Sequence, residues 1–337
     1  MQRMKAMQLY RQAPVAQAPL VAAEIPVPEP GPGQVRLKLS ACGVCHTDLH
    51  IVEGDLALAR QPVIPGHQIV GVVDALGRGA TRHKPGDRLG APWLNQTCGR
   101  CRYCRAGREN LCRDIQFTGL HANGGFAEYT VVHQDFAYPI PPAFSDIKAA
   151  PLLCAGVVGY RALRLSGVQP GERLGLYGFG ASAHLIIQVA RHRNCEVFVF
   201  TRSEHHRQLA RSLGAAWVGG AEEDPGARMQ SSIIFAPAGA LVPAALRLLD
   251  RGGTLALGGI HMSDIPQMPY HLLWHERTVR SVANSTRQDV LDFLAVAAEI
   301  PVKIETERFP LAQANAALLK LKQSRINGAA VLTIKGV

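Results

Sequence analysis

Two rhythms of apolar and polar side chains divide this chain of 337 residues. In Gln34–Ser40 (QVRLKLS) every second side chain is apolar, the period of a strand with one buried face. Pro-Gly pairs at Pro30-Gly31, Pro65-Gly66 and Pro85-Gly86 break such runs with turns. A barrel-like β domain with long loops is therefore expected over residues 1–149. From Ala149 to Asn284 the pattern changes to strands alternating with helices. The apolar run Arg173–Tyr177 passes through a glycine turn into a helical stretch over Ala181–Arg193. A second strand, Cys195–Phe200, precedes an amphipathic helix over Ser203–Leu213. Further strands are predicted at Ala216–Val218, Ser232–Phe235 and Gly253–Leu257, with a helix at Val242–Leu249. Such alternation predicts a parallel sheet flanked by helices. The residues after 284 are expected to return to the first domain. The predicted division is a β-rich domain of residues 1–149 and 285–337, with residues 150–284 inserted as an α/β domain.

Composition narrows the classes. At roughly 150 residues per domain, the length also suits two domains, and a 47% hydrophobic, 18% charged make-up suits a soluble globular protein. The net charge of +10 comes from basic residues scattered along the chain, without a run that interleaves them with aromatics. It reads as a solvated surface, compatible with attracting a phosphate-bearing cofactor, and not as a nucleic-acid interface. The first residues, MQRMKAMQLYRQAPV, lack the apolar core of a secretory signal, and no run approaches the ~18 apolar residues of a membrane span. A cytoplasmic protein with no membrane partner is expected. Four of the eight cysteines crowd between Cys98 and Cys112, which points to metal ligation and not to disulfides.

Cys98, Cys101, Cys104 and Cys112 form a C-x2-C-x2-C-x7-C segment. Four thiolates on one short loop close a tetrahedron around Zn2+ and leave no position for water, so this zinc would be structural. A nucleic-acid zinc ribbon would pair two knuckles across a longer gap. A second set is dispersed: Cys45 and His46 in G-V-C-H-T-D-L-H, His67 in P-G-H-Q, and Cys154 in L-L-C-A-G. Taken singly, Cys154 reads as core and His67 as a turn residue. Taken together, two thiolates and one imidazole would leave a four-coordinate zinc one open position, the catalytic arrangement.

These motifs, with G-G-F-A-E-Y at Gly124–Tyr129 and a dinucleotide turn, stand in one order over essentially the whole chain. The chain thus resembles the medium-chain, zinc-containing alcohol dehydrogenase family. The resemblance implies a GroES-like β-rich catalytic domain and a Rossmann cofactor-binding domain, with two zinc ions per chain. By that likeness Cys45, His67 and Cys154 hold the catalytic zinc, and Asp48 orients a ligand histidine. An open zinc position would polarise an alcohol or carbonyl oxygen for hydride exchange with a nicotinamide. Thr47 would accept a hydrogen bond from the substrate oxygen. His50, the side-chain type that ordinarily changes charge near neutrality, would relay the proton to solvent through the cofactor ribose. The rival for His50 is a solvated surface histidine. Many relatives have Glu after the ligand histidine where this chain has Gln68; a neutral amide cannot compete for the metal as an anion. The likeness further implies a homo-oligomer, dimer or tetramer.

The cofactor turn is legible from the residues themselves. Gly178-Phe179-Gly180-Ala181-Ser182-Ala183 is G-x-G-x-x-A between a predicted strand and helix, where pyrophosphate sits at a helix N-terminus. The next strand ends in Thr201-Arg202-Ser203, with no acid for a ribose 2′-hydroxyl and a guanidinium that suits a 2′-phosphate. NADP is expected over NAD. Relatives often carry a basic residue near the C-terminus where this chain reads Gly328-Ala329-Ala330-Val331, and His46 stands where some have Arg; cofactor affinity would then lean on Arg202, His46 or backbone amides. Gly259, Ile260 and His261 are expected at the nicotinamide end, although His261 reads equally as a loop residue. Trp93 and Leu56 fall at pocket-wall positions by likeness, and a tryptophan there favours small primary alcohols and aldehydes, although Trp93 also reads as an ordinary core residue. A polyol dehydrogenase would usually place a carboxylate among its zinc ligands. A non-catalytic zinc- and nucleotide-binding protein would not need Thr47 and His50.

Overall fold

A computed structural model describes residues 2–300, 302–326 and 328–334. The chain separates into two compact units: Met1–Cys154 with Ser285–Ala298 and Ile304–Val337, and Ala155–Asn284 with Glu299–Lys303. Residues 150–154, expected in the second unit, thus fall in the first, and residues 299–303 fall in the second.

The first unit is built on a seven-stranded sheet. Its path runs Thr306–Pro310, Ala329–Thr333, Gln34–Val44, Gln68–Leu76, Arg88–Ala91 and Tyr138–Pro139, while Tyr129–His133 also pairs with Gln34–Val44. The alternating segment extends four residues beyond Ser40, and Ala41–Val44 are all buried. Val35, Leu37 and Leu39 turn inward with Ile51, Ile64, Ile69 and Phe126. Each such aliphatic side chain contributes about 1.5–3 kcal/mol by leaving water. The C-terminal strand pairs antiparallel with the end of the same strand, Leu332 opposite Cys42 and Ala330 opposite Val44. That pairing returns the C-terminal segment to the first unit and delivers Cys45 at a defined strand end.

The helix His46–Glu53 starts there because Cys45 is extended and caps it. The Cys45 sulfur accepts from the Thr47 amide, and the Asp48 carboxylate accepts from the Cys45 amide, a reciprocal cap that satisfies two otherwise orphaned donors. Gly54 ends the helix in the left-handed region, at φ 101°.

In the second unit all strand pairs are parallel. The order is Trp217–Gly219, Glu196–Phe200, Arg173–Tyr177, Met229–Ile234, Leu249–Leu257, Thr278–Ser281. Numbered along the chain, this is 3-2-1-4-5-6, the dinucleotide-binding arrangement. The helices Ala181–His192, Glu204–Ser212 and Leu241–Leu248 lie within a residue or two of the stretches expected, with Ser203 capping the second by accepting from the His206 amide. Two strands start earlier than their apolar pattern suggests. Met229–Ile234 contains the buried Ser231, whose hydroxyl donates to the Ser166 carbonyl at 2.8 Å and so is tolerated inside. Leu249–Leu257 begins before the expected Gly253 and passes through Gly252-Gly253, where the pairing is irregular between Met229 and Ser231.

Candidate metal centres and cofactor turn

Strand end, turn and loop bring the dispersed ligand set together. The donor atoms of Cys45, His67 and Cys154 all lie within 4.8 Å of one another. The Cys45 sulfur stands 3.1 Å from His67 Nε2 and 3.9 Å from the Cys154 sulfur. One carboxylate organises the approach. Asp48, fully buried, accepts from the amides of Cys45 and Gly66 at 3.0 Å each and lies 3.0 Å from His67 Nδ1. It therefore fixes a ligand on either side of it and turns Nε2 toward the sulfurs. The turn bearing His67 is pinned from behind. A Cβ on Gly124 would come within 2.1 Å of the Gly66 carbonyl, so only glycine permits the approach.

Charges in this cluster are strongly shifted. The hydrogen bond with Cys154 and the nearby His67 hold Cys45 well below the usual thiol range, against the opposing effect of burial. Cys154 is driven well above it by the same bond and by burial. Burial raises Asp48. For His67, burial works downward, but Asp48 and Cys45 outweigh it and raise the imidazole. Two sulfurs and an imidazole, charge-coupled and convergent, are the donor set expected of a zinc site with one protein ligand fewer than a closed tetrahedron.

Around this set, Thr47 is buried and His46 exposed. Trp93 is buried with its ring centroid 6.0 Å from that of His67, and stacks on Phe117 at 3.8 Å and 9°. Leu56 is half-buried against the first unit's core. His50 sits on the last turn of its helix with Nδ1 2.7 Å from an Asp55 oxygen.

The four-cysteine lobe also closes. Cys98, Cys101, Cys104 and Cys112 have all sulfurs within 4.8 Å of one another. Cys98 to Cys112 and Cys101 to Cys104 are both 3.5 Å, too long for disulfides, and all eight cysteines are free thiols. The backbone amide of Cys104 helps bring the Cys101 thiol down to about 7, while burial pushes Cys112 up to about 12. The lobe is tied to its unit by the buried Glu109, which accepts from the Arg287 amide at 2.8 Å and from its Nε at 3.2 Å.

In the second unit Gly178 has φ 86°, and a Cβ there would meet Ala236 at 2.9 Å. Gly180 precedes the helix Ala181–His192, and a Cβ added to it would meet no protein atom within 4 Å. Only a side chain would fill that space before the helix N-terminus, as a phosphate cradle requires. Ala181 and Ser182 are half-buried and Ala183 is buried. Thr201 is buried, with its carbonyl accepting from Arg207 Nε at 3.0 Å, whereas Arg202 is exposed. The Ser203 hydroxyl is engaged as a helix cap. Gly259 is half-buried, and Ile260 and His261 are exposed on the loop after the strand Leu249–Leu257.

Residues 31–142 match the family model of the alcohol dehydrogenase GroES-like domain, and residues 183–299 match that of zinc-binding dehydrogenases. A protein of Mycobacterium tuberculosis (strain CDC 1551 / Oshkosh) named "Probable alcohol dehydrogenase AdhA" is 47% identical over 98% of this chain and 97% of its own. The chain belongs to the medium-chain, zinc-containing alcohol dehydrogenase family. Solved structures agree with this. A cinnamyl alcohol dehydrogenase from Sorghum bicolor superposes with a TM-score of 0.89 at 27% identity, covering 98% of both chains. An acetophenone reductase from Geotrichum candidum in complex with NAD gives 0.89 at 26%, covering 99% of this chain and 98% of its own. Within this alcohol dehydrogenase fold, the residues that sequence reading passed over are contact partners: Phe117 on Trp93, Arg287 on Glu109 and Asp55 on His50. A glycine after a helix can turn the chain back on its last turn, but no spacing motif names Asp55 as the partner of His50. No helix among the described residues is long and apolar enough to cross a membrane.

Proposed function

We propose that this chain interconverts alcohols with aldehydes or ketones, using zinc and a nicotinamide cofactor. The observation that carries the reading is the convergence of the Cys45, His67 and Cys154 donor atoms within 4.8 Å, with Asp48 accepting from the Cys45 amide and lying 3.0 Å from His67 Nδ1. These three residues would hold the catalytic zinc, and the four lobe cysteines a structural one. When bound, the metal supplies Lewis acidity to the substrate oxygen and the nicotinamide supplies or takes hydride. The protein's own groups handle position and protons. Asp48 keeps His67 in the tautomer that presents Nε2. The Thr47 hydroxyl accepts the alcohol proton's hydrogen bond, and His50 carries that proton toward water. Trp93, with Leu56, narrows the pocket to small primary alcohols, and its stack on Phe117 keeps the indole in place.

Gly178, Gly180 and the amides of Ala181–Ala183 would cradle the pyrophosphate. Arg202, exposed at the end of Glu196–Phe200 with no acid among Thr201-Arg202-Ser203, favours the 2′-phosphate of NADP. His46 would add a second phosphate contact, and Gly259, Ile260 and His261 would border the nicotinamide. A cytoplasmic homo-oligomer completes the reading.

The test is absorbance at 340 nm with a panel of alcohols and aldehydes, each cofactor in turn, before and after chelation. Turnover of small primary alcohols that disappears on chelation and returns with zinc supports the proposal. Full activity in zinc-free protein contradicts it.

A further inference from the structure

His50 is not a bare imidazole on a helix surface. Its Nδ1 lies 2.7 Å from Asp55 Oδ2, with side-chain exposures of 13% and 46%. The backbone makes that meeting obligatory. Gly54 adopts the left-handed cap, and the amides of Gly54 and Leu56 both donate to the His50 carbonyl, at 3.1 and 3.2 Å. This double closure folds Asp55 back beneath the ring that precedes it by five residues. Gln12 locks the turn from outside, its Nε2 donating to the carbonyls of Ile51 and Leu56 at 2.7 Å each. Other charged groups near the helix have partners of their own among the described residues. Lys322, on the helix Ala314–Lys322 packed against it, is paired with Glu53, and Lys320 with Glu307. His46, one turn earlier, is within electrostatic reach of the ring.

We propose that Asp55 is the positioning residue of the proton relay, holding His50 in the Nδ1–H tautomer so that Nε2 is the nitrogen that takes the proton. This rests on the reading of His50 as a relay. A neutral imidazole carries one N–H; when Nδ1 donates it to the carboxylate, the lone pair is on Nε2. Within that relay Nε2 takes up the alcohol proton, forming imidazolium. Asp55 stays ionised opposite that positive charge, and Nε2 then releases the proton to water, restoring the starting tautomer. Charge and protons balance at each step, as for a carboxylate that orients a catalytic histidine without being protonated.

The full chain is labelled with 15N-histidine, and the His50 signals are identified by their loss in His50→Gln. In the wild type Nδ1 should show the protonated-nitrogen shift and Nε2 the lone-pair shift; Asp55→Ala should move the ring toward the opposite tautomer. In turnover, Asp55→Ala should lower kcat about ten-fold, a part of the ~10²–10⁴ a positioned base contributes, with KM for the alcohol within about two-fold. Asp55→Glu should restore much of the rate. The double variant His50→Gln/Asp55→Ala should be no slower than His50→Gln alone, because both act through one proton path. An unchanged tautomer in Asp55→Ala, or an additive double variant, overturns the assignment. A silent His50→Gln instead removes the relay itself, and the nitrogen shifts still report whether Asp55 sets the ring.

Discussion

Asp48→Asn separates the charge of the central carboxylate from its shape. The wild-type side chain accepts from two amides and meets His67 Nδ1, all at 3.0 Å, in a fully buried position. Asparagine keeps one acceptor oxygen, which can serve Gly66 and His67. Its amide nitrogen must then face the Cys45 N–H, donor against donor. One buried donor left without a partner costs about 1–3 kcal/mol. Loss of an outer partner to a metal ligand typically weakens binding ~10–100-fold, which is about 1.4–2.8 kcal/mol. Asparagine keeps an acceptor for His67 but displaces the Cys45 amide and removes the carboxylate charge beside the ligand set, so zinc affinity at the Cys45 site should fall ~10–100-fold while the four-cysteine lobe, whose ligands lie elsewhere in the chain, keeps its ion. The assay is competition with a chelating dye on the fully loaded chain, with circular dichroism to show that the fold persists. Wild type and variant should differ in one zinc per chain only. Release curves that superimpose would refute the argument that Asp48 organises the site.

Arg202→Asp should invert cofactor preference, since a lost charge-assisted bond to phosphate is worth about 1.5–3 kcal/mol, or ~10–150-fold in kcat/KM for NADP against NAD; equal ratios before and after would mean the guanidinium does not meet the cofactor. Trp93→Ala should raise kcat/KM for bulky alcohols relative to small ones and, by emptying a buried stack, cost about 3–5 kcal/mol in denaturant unfolding. Loss of stability without a change in substrate preference would place Trp93 in the core alone. At the lobe, Cys112 holds its proton to about 12 in the metal-free protein, and a thiol must lose its proton to bind zinc. Zinc uptake at pH 8 should therefore release protons, and affinity should rise with pH, as calorimetry in buffers of different ionisation enthalpy would show; buffer-independent heats would contradict it. Gln68→Glu places an anion able to compete for the metal and should shift the pH profile of turnover, whereas identical profiles would make Gln68 a packing residue.

What the sequence revealed follows from how local each signal is. The four lobe cysteines span 98–112 and the glycine turn 178–183, so spacing, together with the strand and helix expected on either side of the turn, points to their chemistry. Cys45 and His67 are separated by a helix and a loop, and Cys154 follows several strands later, so only their shared order with a known family joined them before the structure did. Strands extend beyond their apolar runs where polar residues are satisfied inside, as Ser231 is by the Ser166 carbonyl, or where the strand runs on through an irregular pairing at Gly252 and Gly253. The pairing of His50 with Asp55 depends on a left-handed residue and two amides sharing one carbonyl, which no spacing motif encodes.

Anomalous diffraction at the zinc absorption edge, from crystals of active full-length protein, tests the whole account most directly. Two peaks per chain are predicted, one enclosed by the four lobe sulfurs and one bounded by Cys45 Sγ, His67 Nε2 and Cys154 Sγ. An active crystal with density at the lobe but none at the three-residue site would remove the metal from the chemistry.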